Sequence, residues 1–166
     1  YYVEESYRTG EWKYDLSIMI VGYNKLSYTK QCVESFLENK PEDLKYELIL
    51  YNHGSTDGTK DYFESIQPDK QVDLAKNSNL STGYIICEGR YMVIISNDII
   101  VTPNALNIMY EAISQNKKVA WAVPSTSNVS NLQVPYGEDI QYNSREYYCC
   151  QGIHSLITFY KTFFKW

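Results

Sequence analysis

Tyr51-Asn52-His53-Gly54-Ser55-Thr56-Asp57-Gly58-Thr59 is the stretch whose reading decides the fold. It follows a mostly apolar run, Tyr46 to Leu50, and precedes a segment in which Tyr62, Phe63 and Ile66 fall at helical spacing. A strand that empties into a Gly/Ser/Asp turn and then a helix builds a small-molecule pocket. Its turn exposes backbone N–H groups, glycine lets a ligand approach closely, and the helix N-terminus favours negative charge. A second such edge lies downstream, where Tyr91-Met92-Val93-Ile94-Ile95 runs into Ser96-Asn97-Asp98. Two strand ends with polar clusters predict one cleft at the carboxyl edge of an α/β sheet.

The rest of the chain supports that frame. Leu16 to Val21 is apolar except for Ser17 and reads as a strand buried on both faces. Tyr28, Cys32, Phe36 and Leu37 give the following segment, Ser27 to Asn39, a helical stripe closed by Pro41. The helix after the quoted turn is capped by Asp57 or Thr59 and closed by Pro68. Val72 to Leu74 is a short third strand, Thr82 to Glu88 a helix, and Tyr91 to Ile95 a central fourth strand. Pro103 fits the first turn of a helix whose buried stripe is Leu106, Met109, Tyr110 and Ile113. Val119 to Val123 is a fifth strand stopped by Pro124. Strands alternating with helices predict a doubly wound α/β fold, with a mainly parallel sheet and helices on both faces. A polar loop follows Pro124, and little structure is assigned from there to Tyr147.

With 166 residues, 44% apolar and 21% charged, the chain has enough material for one domain with a real core. A net charge of −5 with scattered lysines and arginines argues against nucleic-acid or anionic-membrane partners. Cys32, Cys87, Cys149 and Cys150 match no zinc spacing. Cys32 and Cys87 read as buried thiols and the Cys149-Cys150 pair as strand packing, which fits a reducing, cytoplasmic compartment. No apolar run approaches the ~20 residues of a membrane span; the apolar tail Ile153 to Trp166 is too short. Both ends read as cut, so the chain is expected to be a piece of a longer protein, incomplete at its C-terminus.

Asp98 directly follows a buried strand and needs a partner. As a ligand it suits Mg²⁺ or Mn²⁺, hard cations that prefer carboxylate and phosphate oxygens; as a structural group it would cap the helix near Pro103. The Asn52 amide can donate and accept at once, which suits a base edge or a ribose hydroxyl, or else an Asx turn leaving the strand. His53 contacts a ligand or fills the loop, and with no paired Ser, Cys or His nearby it is not catalytic. His154, in an apolar segment, reads as structural. Asn24, after the first strand, falls on the same sheet edge as Asn52 and Asp98.

Together these residues resemble the family 2 glycosyltransferases of the GT-A (Rossmann-like) fold. The likeness begins at Leu16-Ser17-Ile18-Met19-Ile20-Val21-Gly22-Tyr23-Asn24 and continues through Gly54-Ser55-Thr56-Asp57-Gly58-Thr59. It then runs through Gly89-Arg90-Tyr91, Asn97-Asp98 and Val101-Thr102-Pro103-Asn104-Ala105-Leu106. Ser127-Asn128-Val129-Ser130-Asn131 with Gln133 is similar to a loop of bacterial members that build surface polysaccharide, so the donor-binding core would span about 14–133 of a single domain. The resemblance implies transfer of a sugar from a nucleotide-diphosphate donor to a glycan or lipid-linked acceptor hydroxyl, with inversion, at the cytoplasmic face of a membrane. It also implies that Tyr23, Asn24, Asn52, His53, Ser55 and Asn97 line the donor pocket and that Asp98 holds Mg²⁺ or Mn²⁺.

Three departures stand out. The family has acids where Asn52 and often His53 stand, and Ser96 replaces the first acid of its Asp-X-Asp motif. No residue stands as the catalytic base: Glu138-Asp139 comes early, so the base is expected beyond Trp166. These departures motivate the alternative, a degenerate module that binds a nucleotide or glycan without reaction. A nucleotidyltransferase would need a Gly-rich basic loop after the first strand, and Gly22-Tyr23-Asn24-Lys25 is too spare for it.

Overall fold

The computed structural model describes residues 9–75, 81–115, 121–122 and 157–161. Its elements alternate as the sequence predicts: β1 (Tyr14–Gly22), α1 (Leu26–Glu38), β2 (Tyr46–Asn52), α2 (Thr59–Ile66), β3 (Lys70–Asp73), α3 (Ser81–Ile86), β4 (Gly89–Ser96), α4 (Ala105–Gln115), β5 (Trp121–Ala122) and β6 (Ile157–Lys161). The strands form one sheet in the order β3-β2-β1-β4-β6-β5. β1 to β4 run parallel, whereas β6 runs antiparallel to both β4 and β5.

The sheet is covered on both faces, which is why its strands read as continuous apolar runs. Leu16, Ile18 and Ile20 of β1, with Leu48 and Leu50 of β2 and Tyr91, Val93 and Ile95 of β4, form one core face. Phe36 of α1, Phe63 of α2 and Leu106, Met109 and Ile113 of α4 pack onto it. The intervening residues Met19, Ile49, Tyr51 and Met92 form the other face with Cys87 and Ile86, at the end of α3. Alternation along a pleated strand sorts the two sets. Each fully buried Leu or Ile adds about 1.5–3 kcal/mol relative to an exposed position.

The amino edge of the sheet carries a buried ionic cluster. Glu47 in β2 is fully buried, and Lys70 Nζ lies 2.6 Å from its Oε2. Its Oε1 accepts from Ser17 Oγ and from the Glu88 N–H (2.6 Å). Lys70 also pairs with Glu88 (2.9 Å) and donates to the Ile86 carbonyl (2.7 Å), and Lys13 closes on Glu88 at 3.0 Å. Burial works to lower the Lys70 pKa, but its two carboxylate partners outweigh it and raise the value. Hydrogen bonds from Lys70 and Lys13 hold the Glu88 carboxyl below its ordinary range.

Several expectations shift. The α1 stripe is Thr29, Cys32, Val33, Ser35 and Phe36; Tyr28 and Leu37 flank it and are exposed, with Lys25 Nζ 5.7 Å from the Tyr28 ring centroid. Pro103 lies in the turn ahead of α4, since the helix begins at Ala105. A further strand, β6, comes from the apolar tail and lies between β4 and β5. Cys32 and Cys87 are buried thiols, as expected, and burial pushes Cys87 up to about 12. The loop Ser127 to Gln133, Glu138, Asp139, Cys149, Cys150 and His154 lie outside the described residues. Among the described residues no helix is long and apolar enough to cross a membrane.

Candidate functional site

Register brings the predicted clusters to one edge. Gly22 of β1 stands level with Asn52 of β2, Val21 with Ser96 of β4, and Asn52 with Asp73 of β3. The three strands therefore release Tyr23-Asn24, His53-Gly54-Ser55 and Asn97-Asp98 side by side, at the carboxyl ends where open α/β sheets bind ligands.

Hydrogen bonds fasten these loops to one another. Asn24 adopts a left-handed conformation (φ 54°), as does Lys25 (φ 55°), which turns the chain sharply into α1. The Asn24 N–H donates to Ser55 Oγ (2.9 Å), and its side-chain oxygen accepts from the Thr56 N–H (2.9 Å). Its carbonyl accepts from Asn97 Nδ2 (3.0 Å), and Asn97 also donates to Thr29 Oγ1 in α1 (2.8 Å). The His53 N–H donates to the Gly22 carbonyl (2.9 Å). Gly54 (φ 82°) threads the turn past β3, where a Cβ would stand 2.9 Å from the Leu74 carbonyl oxygen.

Asn52 takes the Asx-turn role. It is 3% exposed, its Oδ1 accepts from the Ser55 N–H (2.9 Å), and its Nδ2 donates to Asp73 Oδ1 (2.9 Å). The His53 ring leans on the buried Tyr51 ring (centroids 5.1 Å apart), and its Nε2 is buried without a hydrogen-bond partner among the described residues. Tyr23 is the most open of the predicted contacts, at 54% exposure.

Asp57, which the sequence marks as a cap for α2, does more. Its Oδ1 accepts from the Thr59 hydroxyl (2.7 Å) and N–H (3.2 Å), while Oδ2 accepts from the Leu26 N–H (2.8 Å) at the start of α1. One carboxylate thus serves two helix N-termini. Burial tends to raise its pKa, but these hydrogen bonds prevail and lower it. The consequence corrects the first reading of the turn. The N–H groups of His53, Ser55, Thr56 and Thr59 already have protein acceptors. They are not standing free for an anion.

Asp98 differs from these groups. It is half-buried in the turn after β4, and among the described residues nothing pairs with its carboxylate. It does not cap α4, whose first backbone bond runs from the Ala105 N–H to the Thr102 carbonyl. The segment holding it is strapped along α1. The Cys32 thiol donates to the Ser96 carbonyl (3.4 Å), the Val101 N–H to Ser35 Oγ (2.9 Å), and Asn39 Nδ2 to the Val101 carbonyl (3.1 Å). Among the described residues no three His, Cys, Asp or Glu side chains converge as a ready-made metal cage. One carboxylate that is unpaired among the described residues fits a cation whose other ligands come from a bound ligand and water, the usual situation for Mg²⁺ at phosphates.

A parallel sheet with a polar cleft at its carboxyl edge defines a nucleotide-binding α/β protein of the GT-A type. Residues 17–165 match the model of glycosyl transferase family 2, and the chain belongs to that family. It is 25% identical over 134 residues to an uncharacterized glycosyltransferase of Mycoplasma genitalium, covering 66% of this chain and 45% of that protein. It is 25% identical over 108 residues to the glycosyltransferase GlyG of Streptococcus pneumoniae, covering 60% and 35%. The chain therefore spans less than half the length of these curated relatives. In fold it is similar to Staphylococcus aureus TarS 1–349 in complex with UDP-GlcNAc, with a TM-score of 0.64 and 17% identity over 89% of this chain and 45% of that one. It is also similar to the mannosyltransferase PcManGT of Pyrobaculum calidifontis in complex with GDP-Man and Mn²⁺, with a TM-score of 0.60 and 17% identity over 75% and 43%.

Proposed function

We propose that the chain is the donor-binding part of a metal-dependent glycosyltransferase that moves a sugar from a nucleotide-diphosphate donor to an acceptor hydroxyl, with inversion. The observation that carries this reading is Asp98, a carboxylate with no partner among the described residues, at the end of the strand next to β1. Because the N–H groups of His53, Ser55, Thr56 and Thr59 are already engaged, a diphosphate draws its positive charge from elsewhere. Asp98 would hold Mg²⁺ or Mn²⁺ for that purpose, and the bound cation would neutralise charge growing on the departing diphosphate.

The chain's own residues do the positioning. Tyr23 presents an open aromatic face on which a base can stack. Asn24, Ser55 and Asn97 hold the loops that frame it. Asn52 and His53 form the floor, with Asn52 acting through the turn it shapes. The base that deprotonates the acceptor is placed outside the described residues, and the acceptor is proposed to be a glycan or lipid-linked saccharide. Relatives whose names include glycosyltransferase, and fold neighbours in complex with UDP-GlcNAc and GDP-Man, support this reading.

The test is thermal unfolding with UDP-GlcNAc or GDP-mannose, with and without Mn²⁺. At ~100 times Kd the stabilisation is about 2.7 kcal/mol, a rise of about 5–11 °C for a domain of this size. The Mn²⁺-dependent part of that rise should vanish in Asp98→Ala; its persistence would remove the metal role. The second reading, a binding module without turnover, is favoured by the full commitment of the Asn52 amide to Asp73 and Ser55. Transfer of radiolabelled sugar by the natural full-length protein decides between the two.

A further inference from the structure

We propose that Asn97 is a positioning residue that couples nucleoside binding to cation binding, by locking the Asp98 turn onto the Asn24 loop. The inference deepens the donor-site reading above and rests on it. Both hydrogens of the Asn97 amide are spent inside the protein, on the Asn24 carbonyl (3.0 Å) and on Thr29 Oγ1 (2.8 Å). This side chain therefore touches the loop that presents Tyr23 and the helix behind it, while the next residue along is Asp98. An amide with both donors filled is poorly suited to a ligand contact and well suited to fixing distance.

The lock acts on a conformation that needs holding. Asn24 and Lys25 are consecutive left-handed residues, each unfavourable for a side chain larger than glycine. Asn24 also reaches across to Ser55 and Thr56, so its N–H, side chain and carbonyl tie the ends of β1, β2 and β4. Thr29, fully buried in α1, gives the amide its second anchor. With the lock in place, the loop that carries Tyr23 and the turn that carries Asp98 keep a fixed spacing. Without the lock, each half would still bind its own ligand, but occupancy of one would no longer prepare the other.

The readout is the ratio of UDP dissociation constants without and with Mn²⁺, measured by titration calorimetry on the whole chain, with uridine monophosphate in EDTA as the metal-free control and GDP and GMP as the parallel pair. In Asn97→Ala the Mn²⁺ ratio should fall at least tenfold, while metal-free monophosphate binding changes less than threefold. Thr29→Val, nearly the same shape with one anchor removed, should lower the ratio by an intermediate factor and guards against a folding defect in the first variant. A general loosening of the fold would weaken the monophosphate as much as the diphosphate, which would overturn the proposal. An unchanged ratio in both variants would overturn it as well. The unaltered chain and Asp98→Ala separate this from the underlying reading: if Mn²⁺ tightens neither diphosphate, or does so equally in Asp98→Ala, the donor site itself fails and the coupling with it.

Discussion

The Asn52 carboxamide donates to Asp73 Oδ1 at 2.9 Å across the final register pair of β2 and β3. The acid that the family places at the end of the second strand is thus absent here, and a carboxylate stands one strand over. The amide is the neutral partner that lets Asp73 approach.

Restoring an acid at position 52 should therefore destabilise the chain. Asn52→Asp would set a buried carboxylate against Asp73 and lose a hydrogen bond, costing about 1–3 kcal/mol at neutral pH. The loss should shrink as pH falls through the carboxylate range and one acid takes up a proton. The double substitution Asn52→Asp, Asp73→Asn should recover most of it. Urea unfolding of the two single variants and the double variant measures the coupling directly, and additive losses would contradict the account.

Asp57 should carry a cap for each of two helices. Asp57→Ala is expected to cost about 1–2 kcal/mol, as loss of an N-cap does, and Asp57→Asn less, since it keeps an acceptor. The folded carboxyl sits below its ordinary value because the Thr59 and Leu26 bonds prevail over burial. Its contribution is therefore present above the unfolded pKa of about 3.9 and disappears as pH drops through the lower folded value. The stability gap between the natural chain and Asp57→Asn should hold above about pH 4 and close as pH falls below it; a gap that stays constant would show that the charge does not matter.

Much of the fold was legible because the strands are covered on both sides. Leu16 to Val21 and Tyr91 to Ile95 carry few polar residues and could only be buried. The α1 stripe was harder, since Tyr28 and Leu37 have the right spacing but lie on the flank while small Thr29 and Ser35 face inward. Hydrophobic pattern does not mark a buried hydroxyl that bonds across elements, as Ser35 does to Val101. β6 escaped because its partner β4 lies far away in sequence, and period alone does not reveal pairing. In the site, the strand-end clusters were visible one by one. Their division of labour was not: Asn52 and Asn97 have the composition of ligand contacts, and only register shows that their amides are spent on Asp73, Asn24 and Thr29. Asp73 was missed outright; its signal was position at a strand end beside Asn52, readable once β3 is placed.

At the opposite edge of the sheet, Lys70 neutralises Glu47, a carboxylate with no exposure to water. Lys70→Met should leave that charge uncompensated and cost about 3–5 kcal/mol. The pair Glu47→Gln, Lys70→Met should cost much less. Because the folded Lys70 pKa lies above its ordinary value, its contribution is intact below about pH 10 and fades as pH rises through the folded value. Unfolding monitored at pH 7 and pH 11 gives the sign; a loss that grows on acidification from pH 7 to 5 would contradict it.

β6 has one further consequence. It arrives from Ile157–Lys161 to cover the free side of β4, pairing Tyr91 with Lys161 and Ile95 with Ile157. Any shortened version that stops ahead of Ile157 leaves a row of unsatisfied main-chain groups on an oily ribbon. Such a ribbon recruits the same ribbon of a neighbouring molecule. Truncation on that side would turn the polypeptide into a self-templating, fibre-prone one, with Tyr23, Asn24, Asn52 and Asp98 still in place.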